Sequence, residues 1–151
     1  MTGRLSLTDR SWPVLGRLMR VHVAVYRATG GRIGHRVPGF PRVLLLDHVG
    51  AKSGKRRTTP LAYMPYGESF VVVGSKGGYP RNPGWVHNVR AFPGVGIQVG
   101  PDMIKVHARE AVAGERQRLW PEAARYNPAW ARYQQRTQRV LPLIILTPRR
   151  T

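Results

Sequence analysis

Apolar residues recur at helical spacing from Ser11 to about Ala28, through Leu15, Leu18, Met19, His22, Val25 and Tyr26. Arg10, Arg17, Arg20 and Arg27 share the opposite face. This pattern predicts a basic amphipathic helix. The favoured reading packs its apolar stripe on the core and leaves the basic face in water; the alternative lays it on an anionic membrane surface. A Gly/Pro-rich connector runs from Gly30 to Pro41, and the period then changes. Residues 43–49 and 58–64 read as strands, with Pro65-Tyr66-Gly67-Glu68 as the turn of a hairpin into 70–74. Helical spacing returns over 82–92 through Trp85, Val89 and Phe92, and Pro93-Gly94 stops it. Residues 95–99 and 103–110 form another hairpin around Gly100-Pro101-Asp102. After Gly114 the pattern is helical, broken by Pro121 and Pro128 into short pieces that end near Arg139. Residues 141–146 make a final apolar strand, followed by an Arg-rich tail that reads as frayed.

About six strands, joined mainly by hairpins, predict a mainly β fold with added helices, an antiparallel barrel rather than a Rossmann sheet. Residues 1–40 form the N-terminal helix and connector, and 41–148 the barrel domain. No apolar run is long enough to cross a bilayer. The N-terminus lacks the apolar core of a signal peptide. The chain has no cysteine, which excludes disulfides and Cys-ligated metals and suits a reducing cytoplasm.

Charge changes the picture. Lys and Arg number 25 against 7 acids, a net charge of +18. Such a field attracts nucleic acid, anionic lipid or a phosphorylated and carboxylated small molecule. Of the four lysines (Lys52, Lys55, Lys76 and Lys105), three lie in Gly-rich loops. Gly50-Ala51-Lys52-Ser53-Gly54-Lys55 fails as a Walker A motif, because its glycine spacing is one residue short and Arg56 stands where Ser or Thr would bind magnesium. The physics of anion binding survives that failure. Glycines let backbone N–H groups approach an anion, while Lys52, Lys55, Arg56 and Arg57 add charge and Ser53 a hydroxyl. Ser75-Lys76-Gly77-Gly78, at the end of a strand, suits a flat ring lying close to the backbone. Asn82-Pro83-Gly84-Trp85 opens a helix whose N–H groups could meet an anion. For Trp85 itself core packing is the default.

Other chemistries find no support. The histidines show no metal-binding spacing, so no metal site is expected. There is no G-x-S-x-G elbow and no convincing pair of carboxylates. The templates of DNA readers are missing, and no nucleic-acid partner is expected.

Taken in order, these blocks resemble the deazaflavin-dependent nitroreductase and quinone reductase family, which uses reduced coenzyme F-420. The resemblance runs from about Val21 to Pro148. It rests on K-S-G-K-x-R-T-T-P-L from Lys52, S-K-G-G from Ser75, N-P-x-W-x-x-N-x-R-A-x-P from Asn82, E-R-x-x-L-W from Glu115 and Y-Q-x-R-T-x-R-x-x-P from Tyr133. It implies a split β-barrel related to FMN-binding, pyridoxamine-phosphate-oxidase-like proteins. It also implies that Lys52, Ser53 and Arg57, in the loop with Gly54 and Lys55, hold the coenzyme's phosphate and oligoglutamate tail. Pro60, Gly74, Ser75, Lys76 and Gly77 would line the deazaflavin, with Trp85 and Asn88 completing the site. FMN is the less favoured coenzyme. The alternative functions are a non-enzymatic or FMN-, haem- or lipid-binding split barrel, and a basic binder of nucleic acid or membrane surfaces.

The sequence departs from the family in two places. Asp47-His48-Val49-Gly50-Ala51 stands where relatives often carry T-T-T-G-R, which puts an acid beside the loop. Asn127-Pro128-Ala129-Trp130-Ala131-Arg132-Tyr133 replaces the tyrosine-rich Y-P-x-Y-x-x-Y that covers the ring in nitroimidazole-reducing members. The implied chemistry is hydride transfer to a quinone, nitroaromatic or activated enone. Ser75 would hydrogen-bond the ring or a developing oxyanion, Tyr133 would orient the acceptor or relay a proton, and Trp130 would form part of the acceptor wall. The expected location is the cytoplasm, with peripheral attachment to the inner face of the membrane as the helix's second option.

Overall fold

The computed structural model describes residues 7–36, 38 and 41–149, with side chains from Gly16 onward. The side chains of Arg10 and Leu15, part of the Gly/Pro connector and the tail beyond Arg149 lie outside the described residues. Among the described residues four α-helices, α1 (Leu7–Ala28), α2 (Gly84–Ala91), α3 (Ala113–Tyr126) and α4 (Pro128–Gln135), accompany seven strands. These are β1 (Val43–Val49), β2 (Arg56–Ala62), β3 (Met64–Tyr66), β4 (Ser69–Val73), β5 (Gly94–Val99), β6 (Asp102–Glu110) and β7 (Leu143–Pro148).

All strands join one antiparallel sheet in the order β2-β1-β5-β6-β7-β4-β3. Its two edges, β2 and β3, are halves of one stretch of chain bent at Tyr63. A single bent strand at both edges curls the sheet into a split β-barrel. The strand expected over 58–64 is therefore two, and the total is seven. Tyr63 sits at the bend with 2% exposure, its N–H donating to the Arg42 carbonyl at 3.0 Å.

Two cores form on opposite faces of this sheet. Inside the curl, Leu44, Leu46, Val72, Ile97, Val106, Ile144 and Leu146 pack with Trp85, Val86 and Val89 of α2. On the outside, Val71, Val73, Leu143 and Ile145 meet Leu119 and Ala123 of α3 and Trp130 of α4. Strands β4 and β7 are buried on both faces, which is why residues 143–146 read as an unbroken apolar run rather than an alternation. Each fully buried side chain of this kind contributes about 1.5–3 kcal/mol.

Two helical expectations are corrected. Pro121 does not break α3, which runs through it. The carbonyl that its missing N–H would have bonded belongs to Gln117, and both residues are on the exposed side where water can serve that oxygen. Leu119 and Ala123 meanwhile anchor the buried face. The chain does break at Pro128, which occupies the first turn of α4 while Asn127 Oδ1 accepts the Ala129 N–H at 3.2 Å.

The second correction concerns α1. Tyr26 is fully buried near its C-terminal end, donating to the Val43 carbonyl at 3.0 Å and accepting from the Gly100 N–H at 2.8 Å. Leu18 and Val21, by contrast, are each 60% exposed. Over its described side chains, from Gly16 onward, the helix is docked by its last turns and leaves Leu18 and Val21 in solvent.

Candidate active site: a cation-lined cleft

A cleft of about 1620 Å³ opens where the β1–β2 loop, the segment after β4, the start of α2 and the corner between α3 and α4 converge. Among the described residues five cations line it, Arg42, Lys52, Arg57, Lys76 and Arg132, and no Asp or Glu does. Part of the chain's positive charge is thus gathered in one concavity.

The β1–β2 loop is a tight, self-bonded turn. Gly50 N–H donates to the Lys55 carbonyl at 2.8 Å, and Gly54 N–H to the Gly50 carbonyl at 2.9 Å. Lys55 N–H donates to Ser53 Oγ at 3.2 Å. A Cβ on Gly50 would lie 2.3 Å from Ser53 Oγ, so glycine here leaves the serine hydroxyl its place inside the turn. Lys52 and Ser53 reach the cleft, whereas Gly54 and Lys55 are exposed outside its lining. Asp47, the unexpected acid, does not face the loop's cations: Arg27 pairs with it, and Thr58 Oγ1 donates to it at 2.5 Å.

After β4 the backbone turns left-handed for three residues, with φ of +43° at Lys76, +63° at Gly77 and +81° at Gly78. Gly78 needs to be glycine, because a Cβ would meet the Tyr133 carbonyl at 2.7 Å. Lys76 is a side-chain-bearing residue held in a region that costs of order 1–3 kcal/mol. What holds it is Arg139. Its guanidinium donates to the carbonyls of Gly74 (3.0 Å), Ser75 (2.9 Å) and Tyr79 (2.7 Å) and to Asn82 Oδ1 (2.7 Å). Burial pushes this guanidinium below its ordinary pKa, and the bonds to neutral oxygens compensate. Sequence reasoning missed this role. The arginine stood in the final family block, but nothing local ties residue 139 to residues 74–82.

The remaining expected residues can be placed individually. Pro60, Ser75, Lys76, Gly77, Trp85, Asn88, Trp130 and Tyr133 all line the cleft. Gly74 stands behind it, packed on Val86 and Pro142, with its N–H bonded to the Pro142 carbonyl. Trp85 and Trp130, at 5% and 3% exposure, are chiefly core side chains that show one edge to the cleft. Asn127 is an α4 cap as well as a wall residue. Tyr133 carries the Arg136 guanidinium over its ring at 5.5 Å. His48 and Thr59 also line the cleft and were not singled out from sequence as site residues. Burial lowers the His48 pKa; the nearby Arg57 charge acts in the same direction and Asp47 opposes them. The ring is neutral near pH 7.

A split β-barrel whose cleft is lined, among the described residues, by cations without carboxylates, beside bare glycine backbone, suits a coenzyme-binding barrel of the flavin and deazaflavin type. The profile of the F420H(2)-dependent quinone reductases matches residues 18–148. The chain belongs to that family and is an oxidoreductase dependent on the deazaflavin coenzyme F-420. It is 46% identical over 136 residues to a Mycobacterium tuberculosis protein named as an F420H(2)-dependent quinone reductase, spanning 88% of this chain and 91% of that one. Among solved structures it is similar to an F420-H2 dependent reductase (38% identity, TM-score 0.63), covering 69% of this chain and 92% of that one. A second, described as a domain-swapped dimer, has 33% identity and a TM-score of 0.67 and covers 93% and 99%.

The residues fit such a coenzyme. Gly77 has positive φ and open space where a Cβ would stand, so a flat ring can lie against its backbone. The five cations and Ser53 suit a tail carrying phosphate and carboxylates.

Proposed function

We propose that this cleft binds reduced coenzyme F-420 and a quinone together and serves hydride transfer between them. The observation that carries this reading is the convergence of the cation-bearing loop and the left-handed 76–78 turn on one cavity, lined by no acid among the described residues and large enough for two ligands. When bound, the coenzyme supplies two electrons and a proton as hydride from its reduced ring, and a quinone that gains this hydride and a further proton becomes a quinol.

The protein's own part is placement, which can supply much of the barrier reduction. Lys52, Ser53 and Arg57 hold the anionic tail. Pro60, Ser75, Lys76, Gly77 and Trp85 border the ring, with Ser75 Oγ available to one of its oxygens. Trp130 and Tyr133 form the acceptor wall, where the Tyr133 hydroxyl orients the acceptor or relays a proton to it. Nitroaromatics and activated enones are further acceptors of the same electronic kind.

Titration of the protein with coenzyme F-420 and with FMN tests the reading. Saturable binding of the deazaflavin with weak FMN binding is expected, together with quinone reduction by the reduced coenzyme. Preference for FMN would overturn it. Peripheral membrane contact is a second reading, favoured by Leu18 and Val21 exposed among the arginines of α1.

A further inference from the structure

Both polar ends of the Asn88 side chain are engaged inside the protein. Oδ1 accepts the backbone N–H of Ala51 at 2.8 Å, and an N–H donor fixes which end of the amide is oxygen. The other end, Nδ2, therefore donates to His48 Nδ1 at 2.9 Å. A ring nitrogen that accepts carries a lone pair, so the imidazole proton resides on Nε2. Nε2 donates in turn to Thr59 Oγ1 at 2.8 Å. A hydroxyl that accepts this bond still has its own proton to give. Thr59 lines the cleft, and among the described residues no protein acceptor takes that proton. One backbone amide thus dictates the position of every proton along the chain from Ala51 to the cleft wall.

We propose that His48 is a positioning residue, whose Nε2–H form fixes the Thr59 hydroxyl as a hydrogen-bond donor to the bound coenzyme while Asn88 braces the head of the anion-binding loop. The proposal rests on the coenzyme reading above and extends it to residues that reading does not use. His48 is 5% exposed on β1, between Thr59 of β2 and Asn88 of α2. The charges acting on it are Arg57 on β2 and Asp47 on β1, the latter held by Arg27 and Thr58. Protonation would set Nδ1–H against the Asn88 amide group, two donors face to face. Asn88 could then reverse only by turning its NH2 on the Ala51 N–H. In either arrangement the loop loses its brace and Thr59 its orientation.

Two measurements test this. In the free protein at pH 7.5, nitrogen-15 NMR of the imidazoles should show His48, identified by its loss in His48→Gln, with Nε2 protonated and Nδ1 bare. The opposite tautomer, or a charged ring, would overturn the wiring. Fluorescence titration with oxidised coenzyme F-420 tests the donor. Thr59→Val should weaken binding about tenfold and Thr59→Ser by less than about twofold. Wild-type affinity should fall between pH 7.5 and 5.5 more than that of His48→Gln; the ligand's own titration is common to both and cancels in the ratio. Melting curves verify folding, and Thr59→Ala replaces the valine variant if that one does not fold. Equal affinity of the valine (or alanine) and serine variants, or parallel pH profiles, would overturn the role. A wild type that binds no coenzyme at any pH would overturn the coenzyme reading and this role together, while the tautomer measurement judges the wiring alone.

Discussion

At the scale of single residues, the sharpest contrast is between lysines three positions apart. Lys52 reaches the cleft and Lys55 does not, although both belong to the same Gly-rich loop. Lys52→Glu and Arg57→Glu should each weaken coenzyme binding tenfold or more, because each removes a charge-assisted contact and adds repulsion. Lys55→Glu should cost much less, and calorimetry on the folded variants separates the three. Trp130 needs a different test. It is buried with Leu119 and Ala123, so Trp130→Ala should destabilise the fold by about 3–5 kcal/mol and say little about acceptors. Trp130→Phe keeps most of the volume. Indole offers stacking area and one donor but no phenol to hydrogen-bond a nitro oxygen. We therefore expect the wild type to reduce quinones well and bicyclic nitroimidazoles poorly, and Trp130→Phe to leave that order unchanged in steady-state assays.

At the scale of elements, the segment after β4 is shaped from a distance. Arg139 grips residues on both sides of the left-handed turn. Arg139→Lys keeps the charge but cannot present a planar fork to four oxygens. It should lower stability by about 2 kcal/mol or more and coenzyme affinity at least tenfold, read by denaturant melts and titration. The helix α1 shows the opposite economy. Its periodicity is plain in the sequence, yet among its described side chains those of the last turns alone are covered. If the exposed face meets anionic lipid, Leu18→Asp and Val21→Asp should reduce sedimentation with anionic vesicles at low salt while leaving quinone reduction in solution intact. Equal recovery of wild type and variants would count against membrane contact. Pro121 shows how position overrides propensity, since a proline on the wet side of an anchored helix leaves only a solvated carbonyl.

At the scale of the whole molecule, pH links the site to stability. Burial leads the causes that lower the pKa of both His35 and His48, with Arg36 and Arg42 adding to it at His35. As pH falls below about 6.5 the unfolded chain takes up these protons before the folded one does. Stability should be full above that value and decline through the folded pKa values, by at most about 1.4 kcal/mol per pH unit for each histidine. Denaturant midpoints from pH 8 to 5 should show this slope, and His35→Gln with His48→Gln should flatten it.

Most of the strands, the hairpin of β5 and β6, the loops that carry cation with glycine, and the family were legible in the sequence. Each of these is written in neighbouring residues, as periodicity, turn chemistry or ordered blocks. The folded chain settled which members of a block face the cleft, that one bent strand supplies both sheet edges, and that residue 139 shapes residues 74–79. It also decided the tautomer of His48, through an amide at position 51 and a side chain at 88. The physical reason is common to all four. Hydrogen-bond direction and burial depend on partners far apart in the chain, and a sequence pattern records only what is near.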